Sequence, residues 1–323
     1  MWMARTRSCV LDTQWRWAAG PITANNVYAG ECYDARLDIA DWCQPGFDDS
    51  TWEKARPMDP PGGELVEQVM PPMRRIEALA PVAIREVKPG IFVVDFGQNF
   101  AGWTRFRVEA PSGTEIILRC AETISPDGMV DTASTGVFAT HVEQVDRYLC
   151  RGGGIEEWEP RFTYHGFRYV EVTGWPGPLL PTQITGIVVH NDLPVAGRFE
   201  CSDARLNTLH RMAQWTLRSN LQGIPEDCPA REKCGWLGDA NLVAEFALWN
   251  YDANSFWQKY LGDIETTRSV NGGIPGNVAP GKRYPARCGS FAVLPSWLQW
   301  QRPWVCDRRC RCIATGRATS PPP

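Results

Sequence analysis

Residues 102–110 read GWTRFRVEA, and polar and apolar side chains alternate along them. Thr104, Phe106 and Val108 share one face of an extended chain, while Arg105 and Arg107 share the other. A period of two belongs to a strand, whose successive side chains point to opposite sides. A face with two arginines is wet, so the sheet that holds this strand packs on one side. The same reading extends outward in both directions. IFVVDFG (91–97), TEIILRCAE (114–122), QVDRYLC (144–150), FRYVEVTG (167–174) and ITGIVVH (184–190) are short β-branched or aromatic runs. They are bounded by APSGT, SPDGM, RGGG and GWPGP, which supply turn chemistry. Several such strands in succession predict an antiparallel β-sandwich.

At about Phe199 the period changes. SDARLNTLHRMAQWTLRSNLQ (202–222) opens with Ser202 or Asp203 as an N-cap and places Leu206, Leu209, Ala213 and Leu217 on one helical face. DANLVAEFALWNYD (239–252) and NSFWQKYLGDIETTRS (254–269) follow as two more helices, with Asp239 and Asn254 as N-caps. Upstream of the strands, ECYDARLDIADWCQPGFDDSTWEKA (31–55) mixes aromatics with Asp, Gly and Pro, as loop-rich β structure does. RPMDPPGGE (56–64) reads as a linker or surface loop. From Pro303 the chain is Arg, Cys and Pro without periodicity, which fits a disordered tail or a shifted reading frame equally.

The totals narrow the function. A formal charge of -4 gives no basic footprint for nucleic acid. No apolar run approaches the length that spans a membrane. The basic start MWMARTRSCV lacks the apolar stretch of a signal peptide, so a cytoplasmic location is expected. Twelve cysteines show no regular framework, and only Cys306, Cys310 and Cys312 cluster. The four histidines lie far upstream of that cluster, so no metal and no cofactor is expected, and the thiols are read as reduced. Fifteen tryptophans suit carbohydrate, whose C–H faces pack on flat rings, although tryptophan also fills cores.

Between the first two helices lies EDCPAREKCGWLGD (226–239). Pro225 and Pro229 favour extended backbone around Asp227, and Gly235 and Gly238 permit tight turns. The stretch therefore holds Asp227, Glu232, Trp236 and Asp239 on a non-repeating backbone at the mouth of a helical domain. Each residue also has a plain structural role open to it. Asp239 fits the N-cap of the next helix, Asp227 a brace for the Cys228-Pro229 turn, Glu232 a solvent pair with Arg231 or Lys233, and Trp236 the core. Glycoside hydrolysis explains the four jointly. It needs one carboxylic acid to protonate the leaving oxygen, a second carboxylate on the opposite face, acceptors for hydroxyls and an aromatic wall.

Three segments resemble the bacterial and fungal α-L-rhamnosidases of glycoside hydrolase family 78. VVDFGQNFAGWTRFRVEAPSGTEIILRCAE (93–122) with EEWEPRFTYHGFRYVEVTG (156–174) resembles the β-sandwich that precedes the family's catalytic domain. DCPAREKCGWLGDA (227–240) resembles its active-site signature, and GECYDARLDIADWCQPGFDDSTW (30–52) the end of its amino-terminal β-domain. The resemblance implies Glu232 as general acid and Asp227 and Asp239 as holders of the rhamnose hydroxyls. It also implies Trp236 as an aromatic of the sugar pocket and Arg231 as a residue that orients a carboxylate. It implies an inverting mechanism on a rhamnose-containing glycoside or polysaccharide.

The implied layout has four parts. A remnant of the amino-terminal β-domain with its linker occupies 1–83, the β-sandwich 84–197, the first helices of an (α/α)6 barrel 198–302, and an irregular tail 303–323. The family's general base is a glutamate late in that barrel, beyond the last residue here, so this chain is expected to have little activity alone. Glu245 and Glu265 read as helix surface, and Phe246, Trp249 and Phe256 as apolar faces without partners. A second expectation competes with the enzyme: a non-catalytic carbohydrate-binding sandwich at 84–192.

Overall fold

The computed structural model describes residues 13–59, 66–133, 142–268 and 276–278. The tail from 303, its cysteine cluster and part of the RPMDPPGGE connection lie outside the described residues. Ten strands join one sheet: β1 (Ile22–Asn26), β2 (Gly30–Asp34), β3 (Met73–Leu79), β4 (Ala83–Lys88) and β5 (Ile91–Glu109), then β6 (Glu115–Ala121), β7 (Val145–Leu149), β8 (Ile155–Trp158), β9 (His165–Thr173) and β10 (Ile184–Asn191). Their order is β1-β2-β7-β6-β9-β5-β10-β3, with β4 and β8 also paired to β5.

The shape follows from β5, which is 19 residues long. Its first part, Ile91–Asp95, lies between β9 and β4. Its later part pairs with β10 from Gly102 to Phe106 and with β8 from Phe106 to Glu109. Gly102 stands at the handover, opposite both His165 of β9 and Val188 of β10. A Cβ there would lie 1.8 Å from the carbonyl oxygen of Ile187, so no side chain fits.

The expected antiparallel β structure around one core is present, with two corrections. The strands form a single curled sheet rather than two stacked ones, because β5 carries hydrogen bonds into both halves. One pair is parallel: β2 runs alongside β7, with Cys32 opposite Arg147. The alternation in β5 is as expected. Thr104, Phe106 and Val108 are fully buried, while Arg105 and Arg107 reach Glu157 on the outside at 4.0 and 3.5 Å. Phe106 packs against Tyr148, Trp158 and Trp175 with ring centroids 5.4, 5.7 and 5.8 Å away, in tilted and edge-on geometries.

The hairpin β1–β2 is fastened to the sheet by a buried carboxylate. Glu31 Oε2 accepts from Asn25 Nδ2 at 3.0 Å and from the backbone N–H groups of Phe162 and Arg161 at 3.2 and 3.3 Å. The Glu31 backbone N–H donates to Asp146 Oδ1 at 2.9 Å, and Asp146 Oδ2 lies 3.0 Å from His165 Nε2. Burial pushes the Glu31 carboxyl up to about 7, against the pull of those hydrogen bonds.

Three helices stand among the described residues: α1 (Ala204–Ser219), α2 (Leu237–Asn250) and α3 (Asn254–Thr266). Asp203 caps α1 as expected, accepting from Arg205 N. The other two caps are corrected. Trp236 occupies the N-cap position of α2, so Asp239 falls in the first turn, where the helix dipole still favours a carboxylate. Ala253 precedes α3, and Asn254 is its first residue. Helix α1 docks on the sheet through Trp215. Of its expected stripe Leu217 is buried, but Leu206 and Leu209 face outward. Trp249 is 72% exposed, whereas Phe256 is buried among Leu193, Leu217, Leu221, Ala247 and Tyr251, against expectation. Among the described residues, no helix is long and apolar enough to cross a membrane.

Two outcomes are expected. Gly102→Ala forces β5 away from β10 and lowers stability by about 3 kcal/mol, measured as a fall in the denaturation midpoint. Glu31 holds its proton more tightly folded than unfolded, so its contribution is complete below about pH 4.5 and is lost as pH rises through about 7. Glu31→Gln, which mimics the protonated side chain, therefore flattens the loss of stability between pH 4.5 and 8 by about 3 kcal/mol in urea titrations.

Candidate active site

The stretch 226–239 is neither helix nor strand until Leu237, and its bends have identifiable causes. Asp227 and Cys234 close it on itself. The Asp227 backbone N–H donates to the Cys234 carbonyl at 3.0 Å, and the Cys234 N–H returns to Asp227 Oδ1 at 3.0 Å. Within that closed loop the Glu232 N–H donates to Cys228 Sγ at 3.4 Å. The left-handed residue is Lys233, at φ +50°, and not either of the two glycines. Gly238 lies inside α2, while Gly235 is pressed between Ile224 and Tyr260, each 3.3 Å from where a Cβ would sit. Tyr260 on α3 fixes this end by donating to the Gly235 carbonyl at 2.9 Å.

The loop rests directly on the sheet. A Cβ at Gly166 of β9 would lie 2.7 Å from Pro229 Cγ and 3.2 Å from the Ala230 nitrogen. The glycine therefore permits a backbone-to-backbone approach that any other residue would block.

Glu232 and Trp236 meet: the indole Nε1–H donates to Glu232 Oε2 at 3.0 Å, and both side chains are half-buried. Neither solvent pairing of Glu232 with Lys233 nor a wholly buried Trp236 is seen. Asp227 is near enough to feel the charge of Glu232. Burial is the main cause that raises the Asp227 carboxyl, and repulsion from Glu232 adds to it, while the Cys234 N–H and the Cys228 thiol oppose. Cys228 Sγ donates to Asp227 Oδ2 at 3.2 Å, and burial pushes its thiol up. Arg231 is half-buried, and its guanidinium makes no hydrogen bond or ion pair among the described residues. Asp239 is exposed on the first turn of α2, and its carboxylate likewise makes no hydrogen bond among them. Glu245 and Glu265 are exposed on α2 and α3, as expected, with Glu245 accepting from Trp249 Nε1 at 3.4 Å. No group of three or more His, Cys, Asp or Glu among the described residues could hold a metal ion.

The charges beneath the loop carry little signal in the sequence pattern. Glu226 and Lys233 are both buried. The Lys233 ammonium donates to the Tyr164 carbonyl at 2.6 Å and lies 3.6 Å from the centroid of the Tyr164 ring. The Tyr164 hydroxyl donates to Glu226 Oε1 at 2.5 Å. Burial pushes the Glu226 carboxyl up and the Lys233 ammonium down, and the attraction between them opposes both shifts. Tyr28, in the turn between β1 and β2, donates its hydroxyl to the Glu232 carbonyl at 2.9 Å. The one hint in the sequence is the doubled acid Glu226-Asp227.

Three family descriptions match successive parts of the chain. Residues 4–77 match a family described as the α-L-rhamnosidase N-terminal domain, and residues 85–190 the bacterial α-L-rhamnosidase concanavalin-like domain. Residues 194–306 match the bacterial α-L-rhamnosidase six-hairpin glycosidase domain. An α-L-rhamnosidase of Formosa agariphila is 39% identical over 300 residues, covering 90% of this chain and 32% of that protein. One of Streptomyces avermitilis is 42% identical over 295 residues, covering 89% and 28%. Among solved structures, the α-L-rhamnosidase from Dictyoglumus thermophilum superposes with a TM-score of 0.80 at 43% identity, over 83% of this chain and 30% of that one. The Streptomyces avermitilis α-L-rhamnosidase in complex with L-rhamnose gives 0.79 at 40%, over 83% and 26%. The chain belongs to the α-L-rhamnosidases of glycoside hydrolase family 78. It spans about a third or less of the length of these relatives.

Lys233→Met leaves Glu226 buried without its counter-charge. We expect a loss of about 3 kcal/mol. Because the Glu226 carboxyl, at about 8 in the native protein, is then raised further, and the lysine at about 7 is gone, the loss is smallest in acid and grows as pH rises through about 7 to 8, a trend that denaturant titrations at pH 6 and pH 9 will reveal.

Proposed function

We propose that this chain carries the acid side of a rhamnoside-hydrolysing site. Glu232 protonates the leaving oxygen of a terminal α-L-rhamnoside. Asp227 and Asp239 accept from the sugar hydroxyls, Trp236 forms the wall against the ring, and Arg231 orients a carboxylate. The observation that carries the reading is the 3.0 Å bond from the Trp236 indole to Glu232, on a loop whose chain belongs to a rhamnosidase family. A single indole donor fixes one oxygen of the carboxyl group and leaves the other to meet the substrate.

The reaction is of the inverting kind. A second carboxylate activates water on the far face of the sugar, about 6.5–9.5 Å from the acid. Glu245 and Glu265 are turned to the surface of their helices, so we assign the base to a part of the six-hairpin domain outside the described residues. The alternative of a free-standing sugar-binding sheet gains no support. The rings of Phe96, Phe100, Phe106 and Phe167 are packed on one another or on other core rings instead of forming a platform. The seven described cysteines are unpaired, which favours a reducing compartment such as the cytoplasm.

Titrating the chain with L-rhamnose, followed by the Trp236 indole N–H resonance, is expected to show saturable binding that Asp227→Asn weakens about tenfold or more. Hydrolysis of an aryl α-L-rhamnoside, however slow, is expected to fall by about 10²–10⁴ in Glu232→Gln. Activity that survives that substitution would remove Glu232 from the role.

A further inference from the structure

We propose that Tyr28 is a positioning residue for Glu232: its hydroxyl on the Glu232 carbonyl and the Lys233 ammonium on Tyr164 clamp the main chain on either side of one peptide bond. The proposal rests on the reading of Glu232 as the proton donor. It adds the amino-terminal hairpin to the machinery that places the acid, from a position 204 residues away in sequence.

The clamp has two rigid jaws. Tyr28 sits in a turn that is itself fixed: Asn26 Oδ1 accepts from the backbone N–H groups of Tyr28 and Ala29 at 2.8 and 3.0 Å. The Ala29 carbonyl accepts from Val145 N at 3.0 Å, and Thr163 Oγ1 bonds to the carbonyl of Asn26 at 3.3 Å. Gly30 follows at φ +102°, where a Cβ would lie 2.2 Å from the Val145 carbonyl oxygen, so the turn lies hard against β7. The phenol thus reaches Glu232 from a fixed base. The second jaw is Lys233, whose left-handed backbone turns its side chain under the loop, onto the face and carbonyl of Tyr164.

Between the jaws, the Glu232 carbonyl also accepts from Cys234 Sγ at 3.1 Å, and the Glu232 N–H is held by Cys228 Sγ. The main chain at residue 232 is therefore bonded on both its polar groups. Only the side-chain torsions remain, and the Trp236 indole restrains those. Placement matters here, because an acid displaced by about 1 Å from its target can lose on the order of 10²-fold in rate.

The test uses the whole chain and needs no turnover. The Trp236 indole N–H resonance, identified by its loss in Trp236→Phe, reports the bond to Glu232. Tyr28→Phe removes a single hydroxyl. It is expected to move that resonance and to speed amide exchange at Glu232 and Cys234 about three- to tenfold, while amides of Val94 and Val170 in the sheet core keep their rates. Lys233→Met should act in the same direction, but Tyr28→Phe decides if that variant does not fold. A residue that merely added stability would lower the unfolding temperature and leave the folded-state resonance in place. An unmoved indole resonance with unchanged exchange at 232 and 234 overturns the clamp. Failure of the donor reading shows separately, as hydrolysis unaffected by Glu232→Gln.

Discussion

A lysine ammonium withdrawn from water must find compensation nearby, and the way Lys233 finds it organises the candidate site. Its partners are the carbonyl and ring face of Tyr164 and the charge of Glu226, which is itself bonded to the Tyr164 hydroxyl. Tyr164 immediately precedes β9, whereas Glu226 stands just before the closed loop and Lys233 just inside its far end. Satisfying one buried charge therefore binds both sides of the loop to the sheet. A buried group left without its partner in so dry a place is costly. The bends that carry Asp227, Glu232 and Trp236 inherit their precision from that requirement.

Much of the sheet was legible because a half-wet strand advertises its faces. Thr104, Phe106 and Val108 against Arg105 and Arg107 is a pattern that few other structures produce, and the burial follows it. What the pattern does not encode is the neighbour of each strand. Nothing in IFVVDFGQNFAGWTRFRVEA says that its two halves pair with different strands, so the pattern points to a sandwich and does not reveal that one curled sheet runs through both halves. The parallel contact of β2 with β7 was hidden for the same reason.

In the site, Glu232 and Trp236 came from a motif, and the structure places them in contact. Glu226 and Lys233 did not, because a charged residue in a polar loop looks like a solvated one. The sequence holds no record of the tyrosine ring that covers them. The N-cap expected at Asp239 fell three residues late, since Trp236 enters α2 without a capping side chain. Trp249 and Phe256 looked alike as sequence, yet one faces out and the other fills a small core with Leu217 and Tyr251. Helical period alone does not choose between two apolar flanks when neighbouring helices are few.

The parallel alignment of β2 with β7 bears on how the molecule comes into being. Glu31 meets Asp146 across 115 positions of sequence, so the amino-terminal hairpin emerges from the ribosome long before its neighbour exists. Loop closure on that scale is slow compared with local pairing. Until β7 arrives, the hairpin's outer hydrogen-bonding edge has no partner in the sheet, and an unpaired edge is where a growing chain is open to pairing with others.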